Sequence, residues 1–160
     1  MPLSLSLLGR LKHQHETLDE LIKGLTPEQL KEHIIPGKWS AFENIVHLTA
    51  YQPTFFQRMR MIEQKENLAF ERYVAEQDPV FNECLQHSLK DLLENMSAQR
   101  FLIHKYMLQL SETALRRRAL HPKFGNMSVN QWIDFFLLHE AHHLFAIFML
   151  TSEQRKMLEQ

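Results

Sequence analysis

Apolar residues recur three and four positions apart along most of the chain, which is the spacing of an α-helix. The pattern predicts a first helix from about Leu5 to Lys23 and a second from Ser40 to about Lys65. A third helix is predicted from about Val80 to Leu110 and a fourth from Ser128 to about Leu150. No stretch shows the alternation typical of a β-strand. The pattern therefore predicts an all-α protein, a four-helix bundle.

Polar residues mark the starts of these helices. Ser40 is followed by Glu43, and Ser128 by Gln131, so that each pair can cap the first turn of a helix reciprocally. Thr26 begins a third pattern of this kind and predicts a short additional helix. Residues 66–78 are polar and predict a long connection between helices 2 and 3, which could cover a site or move.

Composition narrows the class of protein. The chain has 160 residues, of which 44% are hydrophobic and 23% charged, so we expect a single globular domain over residues 1–160. A net charge of −1 does not indicate the excess of basic residues that is typical of a nucleic-acid-binding protein. Asp134 and nearby histidines interrupt the longest apolar run, so no membrane span is predicted. The single cysteine, Cys84, excludes an intrachain disulfide and is expected to be a small buried thiol.

The fourth predicted helix contains the sequence His139-Glu-Ala-His142-His143. His139 and His143 are four apart, so both imidazoles lie on one helix face with Cβ atoms about 5–6 Å from each other. They could be core or surface histidines of an amphipathic helix, but a shared metal ion would satisfy both rings on an apolar face. His142 lies within about a quarter turn of these two residues around the helix, so it stays a candidate for the same site. The spacing therefore favours a metal site that needs a third ligand from elsewhere.

His47 is the best candidate for that ligand. It lies on the apolar face of the second helix, and packing within a bundle could bring it against His139 and His143. Three histidines with an open fourth position are typical of catalytic metal sites. Glu43, Glu140 and Asp134 are candidates to orient the rings, and Glu43 and Glu140 are also candidates for proton transfer.

The same stretch satisfies the H-E-x-x-H motif of zinc proteases. The extended form of that motif needs Gly and His at the positions that Ala146 and Met149 occupy here. Because only a short segment follows His143, a protease is a weaker alternative.

The sequence resembles the DinB-like superfamily of metal-binding four-helix proteins. The resemblance rests on Gly37-Lys-Trp-Ser followed by Glu43-Asn-Ile-Val-His47-Leu, on His139-x-x-His-His-Leu, and on the Pro122-to-Gly125 loop. It implies a divalent metal, nickel or zinc, held by His47, His139 and His143. It also implies a cytoplasmic homodimer. Some relatives transfer low-molecular-weight thiols, and others are regarded as hydrolases.

Three functions are therefore considered. The first is a metal-dependent thiol S-transferase that acts on small electrophilic molecules. The second is a metal-dependent hydrolase in which Glu43 or Glu140 carries the proton. The third is a non-catalytic helical module that keeps its metal for stability or has lost it.

Overall fold

The computed structural model describes residues 3–65 and 67–159. Within these residues the chain forms helices and a small sheet. The helices are α1 (Leu5–His13), α2 (Thr17–Ile22), α3 (Pro27–Lys31), α4 (Ala41–Gln64), α5 (Pro79–Cys84), α6 (Leu89–Gln109), α7 (Glu112–Arg116) and α8 (Val129–Leu158). The strands are β1 (Leu68–Ala69), β2 (Arg118–His121) and β3 (Gly125–Ser128).

The predicted four-helix bundle is confirmed. Its members are α4, α6, α8 and the first predicted helix, which the structure divides into α1 and α2 at a turn of 3₁₀-helix, Gln14–Glu16. Helix α4 packs on both α6 and α8 and lies at the centre of the contacts. Its buried residues therefore include many of the chain's core side chains, such as Ile45, Phe55 and Ile62.

The predicted caps also form. Ser40 Oγ accepts from the Glu43 backbone amide, and the Glu43 carboxylate accepts from the Ser40 amide at 2.6 Å. Ser128 and Gln131 make the same pair of bonds at the start of α8, and so does Thr26 with Gln29 at the start of α3. These bonds fix where α4 and α8 begin, and so set the register of the histidines that follow.

Two predicted helix boundaries are wrong. The third helix is two helices, because the chain turns after Cys84 and Ser88 then caps α6 by accepting from the Asp91 amide. Phe101, whose apolar side chain at helical spacing favours a place in the core, is exposed. The fourth helix continues past its predicted end at about Leu150 to Leu158, where Arg155 donates to the backbone oxygens of Leu21 and Lys23 and holds the last turns of α8 against the end of α2.

A three-stranded sheet was not predicted. Strand β2 pairs antiparallel with β3 and parallel with β1, in the order β1-β2-β3. Ala119 and Met127 are buried while their neighbours are more exposed, so the two longer strands do alternate. Four residues are too few for this alternation to predict a strand. The described part of the long connection, residues 67–78, includes β1 and is thereby attached to the segment that precedes α8.

Helix α8 is long and apolar enough, by length and composition alone, to cross a membrane, with a mean hydropathy of 1.3 in its most apolar window. The expectation that no run reaches this length is therefore wrong. The core helix of a bundle passes the same test, and 39% of that window is buried in the fold. The helix also carries the buried, ion-paired Glu140.

Candidate metal centre

Three histidines meet between α4 and α8. One ring nitrogen from each of His47, His139 and His143 lies within 4.8 Å of the others. His47 Nε2 and His139 Nε2 are 3.0 Å apart, and the ring centroids of His47 and His143 are 4.4 Å apart. Two nitrogens bound to one tetrahedral zinc would be about 3.3 Å apart, given bonds of about 2.0 Å. The three rings therefore already approach the separation that a shared cation requires.

Asn44 holds one of these rings, a contact that sequence analysis missed. Its Oδ1 is 2.8 Å from His143 Nδ1, and its Nδ2 donates to the Ser40 backbone oxygen. Because the amide nitrogen is used at Ser40, Oδ1 accepts and the proton of His143 lies on Nδ1. This leaves the Nε2 lone pair of His143 free to face the other two histidines.

The rings of the site are enclosed by other aromatic side chains. The ring of Trp39 stacks on His143 with a centroid distance of 6.0 Å. It also makes a tilted contact with His47, with a centroid distance of 5.1 Å. Tyr51 lies 5.0 Å from the ring of His139. Trp39, which directly precedes the Ser40 cap of α4, therefore forms part of the wall of the site.

Burial keeps the three imidazoles neutral. It lowers the pKa of His47 to about 3, with a further contribution from His139. It lowers the pKa of His139 to about 4 and of His143 to about 2, and neighbouring histidines add to both shifts. Neutral imidazole is the form that binds a metal.

The Nδ1 atoms of His47 and His139 are buried, and neither has a hydrogen-bond partner among the described residues. If each carries the ring proton, Nε2 of both rings is a lone-pair donor that faces the site. A set of three neutral imidazoles suits zinc, nickel and similar divalent ions. The residues present therefore fit a divalent metal.

The site opens into a cavity of about 910 Å³. The bundle contributes the histidines, Trp39, Tyr51 and Phe135 to its wall. The rest of the wall includes residues 71–76 of the long connection, where Tyr73 lies 5.7 Å from the ring of His47, and residues 121–124 of the β2–β3 turn. His142 is exposed and lines the mouth, so it stays near the site without joining the group of three.

The catalytic roles expected for Glu43 and Glu140 do not fit the structure. Glu43 accepts from the Ser40 amide, and its carboxylate also lies 3.5 Å from His33. Glu140 is 1% exposed and forms an ion pair with Arg100. Neither carboxylate lines the cavity. The protease alternative fails for the same reason, because its general base would be Glu140.

Two further sequence candidates have structural roles. Asp134, considered as a group that orients the imidazoles, pairs with Arg10 at 3.0 Å on the surface. Cys84 is buried as expected, and burial raises the pKa of its thiol. Neither residue lines the cavity.

A helix bundle in which three histidines line an open cavity has the arrangement expected of a metal-dependent protein. The family model of the DinB superfamily matches residues 10–147, and the chain belongs to that superfamily. No curated protein is significantly similar to it in sequence.

Two solved structures share the fold. One is YfiT from Bacillus subtilis, described as a probable metal-dependent hydrolase with an unusual four-helix bundle topology. It is 15% identical, with a TM-score of 0.80, over 94% of this chain and 86% of that one. The other is TT2238, a four-helix bundle protein that is 20% identical, with a TM-score of 0.65, over 89% of this chain and 95% of that one. At these identities the likeness supports the fold.

Proposed function

We propose that the protein is a metal-dependent enzyme that transfers a small thiol to an electrophilic molecule in the cavity. The observation that carries this proposal is the convergence of His47, His139 and His143 on one point at the cavity wall. A divalent cation held there would act as a Lewis acid and favour the deprotonated form of a thiol. We propose zinc or nickel, and a cytoplasmic location, where small thiols are kept reduced.

The chain's own residues prepare the site in two ways. Asn44 orients His143, and burial keeps the three rings neutral. The open side of the cavity gives the thiol proton a route to solvent. The thiol sulfur then forms a bond to the electrophilic carbon, and the leaving group departs with the electron pair of the bond that breaks.

The carboxylates of the cavity favour transfer over hydrolysis. Hydrolysis is assisted by a carboxylate that accepts a proton from water beside the metal. Within the described residues, only Glu71 and Glu76 supply carboxylates to the wall, and both are exposed residues of the long connection. The description of YfiT as a probable metal-dependent hydrolase supports hydrolysis as a second candidate.

Metal content tests the first step. Purified protein would be loaded with zinc or nickel, and bound metal measured by mass spectrometry. We expect about one ion per chain in the wild type and loss of that ion in His47→Ala and His139→Ala. His142→Ala is the matched control, since this neighbouring ring lies outside the group of three, and it should keep the metal. If His47→Ala keeps its full metal content, the proposal that these three histidines bind the ion is refuted.

Activity assays separate the candidate reactions. Metal-loaded protein would be tested with small cellular thiols and a model electrophile, and in parallel with ester, amide and phosphoester substrates, each with and without chelator. Thiol conjugation that chelator abolishes supports the proposal, whereas chelator-sensitive hydrolysis supports the second candidate. A metal-loaded protein that is inert in both assays, and that only melts at lower temperature after His47→Ala, would be a non-catalytic module.

A further inference from the structure

Arg58 lines the cavity and is held in a fixed orientation. It lies on α4, two turns beyond Tyr51, and its Nη1 is 3.4 Å from the Tyr51 hydroxyl oxygen. Its Nη2 donates to the Glu71 backbone oxygen at 2.9 Å. The guanidinium also lies over the rings of Phe70 and Trp132, at 5.2 and 5.9 Å. These contacts come from α4, the long connection and α8, so three separate parts of the chain position one cation.

Arg58 has no carboxylate partner among the described residues. Among these residues the arginines that form ion pairs are Arg10, Arg100 and Arg116, and Glu71 offers Arg58 only its main-chain oxygen. A guanidinium has five N–H donors, and the protein contacts use part of them. The charge of this half-buried guanidinium is left for solvent or an anionic ligand to balance. Its placement on the cavity wall makes those remaining donors available to a bound molecule.

His121 provides a second donor beside Arg58. Its Nδ1 accepts from the backbone amides of Lys123 and Phe124, both at 3.1 Å, so the ring proton lies on Nε2. The imidazole lies 5.1 Å from the indole of Trp132, the same ring that Arg58 covers. His121 therefore carries a ring N–H on a side chain that lines the same cavity and contacts the same indole as Arg58.

The charges around the cavity are mixed, and the contacts of Arg58 distinguish it from the rest. Arg72 and Lys123 also line the wall, as do the acidic residues Glu71 and Glu76. Arg72, Glu71, Glu76 and Lys123 are exposed, whereas Arg58 is half-buried. A fixed, half-buried guanidinium is the geometry that binds carboxylate or phosphate oxygens in two parallel hydrogen bonds.

Tyr51 sets the spacing between this cation and the histidines. Its ring lies 5.0 Å from His139, and its hydroxyl group contacts Arg58. One tyrosine side chain thus separates the two groups along the wall. We propose that Arg58, assisted by His121, binds an oxyanion of the small molecule, a carboxylate or a phosphate, whose reacting atom lies at the three histidines. This inference rests on the proposed use of the cavity as a substrate site.

Three probes that share an aromatic body test the charge preference. Benzoate and phenyl phosphate carry an oxyanion, and benzamide is neutral. Their affinities would be measured by calorimetry or ligand-observed NMR, on the protein as purified and again after chelation. We expect at least one of the anions to bind about tenfold more tightly than benzamide, and the stronger of the two identifies carboxylate or phosphate as the preferred group.

Variants assign the preference to Arg58. In Arg58→Gln we expect the anion and benzamide to bind with equal affinity. Arg58→Lys keeps the positive charge but cannot form two parallel hydrogen bonds, so it should keep a reduced preference for the anions. A reduced preference in this variant shows that a change at position 58 does not simply unfold the site. Arg60→Gln is the matched control, because this exposed arginine on the same helix does not line the cavity, and it should behave as the wild type.

Two results would overturn the inference. One is equal affinity for all three probes in the wild type, and the other is an anion preference that survives in a folded Arg58→Gln protein. Because the titrations are repeated after chelation, they do not depend on the metal. A protein that binds no metal yet prefers the anions would refute the proposed function alone, and a metal-binding protein without the preference would refute this inference alone.

Discussion

The side-chain oxygen of Asn44 lies 2.8 Å from Nδ1 of His143, across the interface between α4 and α8. This bond sets both the tautomer and the orientation of the ring. Partners of this kind typically change metal affinity about 10–100-fold when they are removed. We therefore expect Asn44→Ala to bind zinc or nickel about 10–100-fold more weakly, as measured by competition with a chromophoric chelator.

Asn44→Asp is the control for this prediction. A carboxylate in the same place can accept the same proton from His143, so Asn44→Asp should bind metal more tightly than Asn44→Ala, although it loses the donation to the Ser40 oxygen and with it some stability. If Asn44→Ala and the wild type bind metal equally well, Asn44 does not position the ring.

Arg100 and Glu140 form an ion pair that is 1% exposed at both side chains. Arg100 also donates to Gln52 and to the Leu11 backbone oxygen, so the pair joins α1, α4, α6 and α8. Removing one partner of such a pair leaves a buried charge and costs about 3–5 kcal/mol. We expect Glu140→Gln to lower the free energy of unfolding by about that amount in urea titrations.

Two comparisons check this assignment. Replacing both partners, as in Arg100→Met with Glu140→Leu, should recover much of the lost stability, because no buried charge is left unpaired. Asp134→Asn, which breaks the exposed pair with Arg10, should cost about 1 kcal/mol or less. Equal losses for Glu140→Gln and Asp134→Asn would contradict the structural role of Glu140.

The histidine cluster should make the metal-free protein sensitive to acid. The pKa values of His47, His139 and His143 lie well below the ordinary value of 6.5 in the folded state. Between pH 6.5 and about 4 the unfolded chain therefore binds more protons, and stability falls as the pH falls. Each such histidine contributes at most about 1.4 kcal/mol per pH unit.

Urea unfolding of the metal-free protein at pH 7.5, 6.5, 5.5 and 4.5 measures this dependence. The triple variant with glutamine at the three positions should show a flatter profile over the same range. A wild-type profile that is level between pH 6.5 and 4.5 would show that the three rings are not held neutral.

The resemblance to DinB-like proteins predicts a homodimer. Helix α8 exposes apolar side chains seven and four residues apart, at Leu138, Phe145 and Met149, and Phe148 lies beside them. If these residues form the contact, Phe145→Glu should convert a dimer into a monomer in light scattering. Phe101→Glu, on the exposed face of α6, is the control and should stay dimeric. A wild-type monomer would refute the prediction.

Local sequence patterns predicted the elements that depend on local contacts. The Ser40–Glu43 and Ser128–Gln131 caps are complete within four residues, so their spacing was enough to place the starts of α4 and α8. The spacing of His139 and His143 placed two rings on one face in the same way. His47 could be predicted as the third ligand because it lies on an apolar helix face, which must pack against the core.

Contacts between distant residues account for what the sequence did not predict. Nothing near Glu140 in the sequence indicates that Arg100, on another helix, pairs with it, so the sequence alone favours a role in proton transfer. The sequence assigns the Glu43 carboxylate both to the cap and to catalysis, and the cap occupies it. The sequence does not reveal the role of Asn44, because its partner lies 99 positions away. It does not reveal strands β1 to β3 either, since each is too short to show its periodicity.

The two sides of the cavity come from different parts of the architecture. The imidazoles belong to the bundle, whereas residues 71–76 and 121–124 lie on segments that the parallel β1–β2 pairing joins, with Leu68 opposite Ala119 and Ala69 opposite Leu120. Substitutions at residues 71–76 and 121–124 can alter which molecules enter while the histidines and Arg58 stay on the bundle helices. Mutation can thus vary part of the molecular selectivity of this protein without replacing a proposed metal ligand, provided that the short strand pairing is preserved.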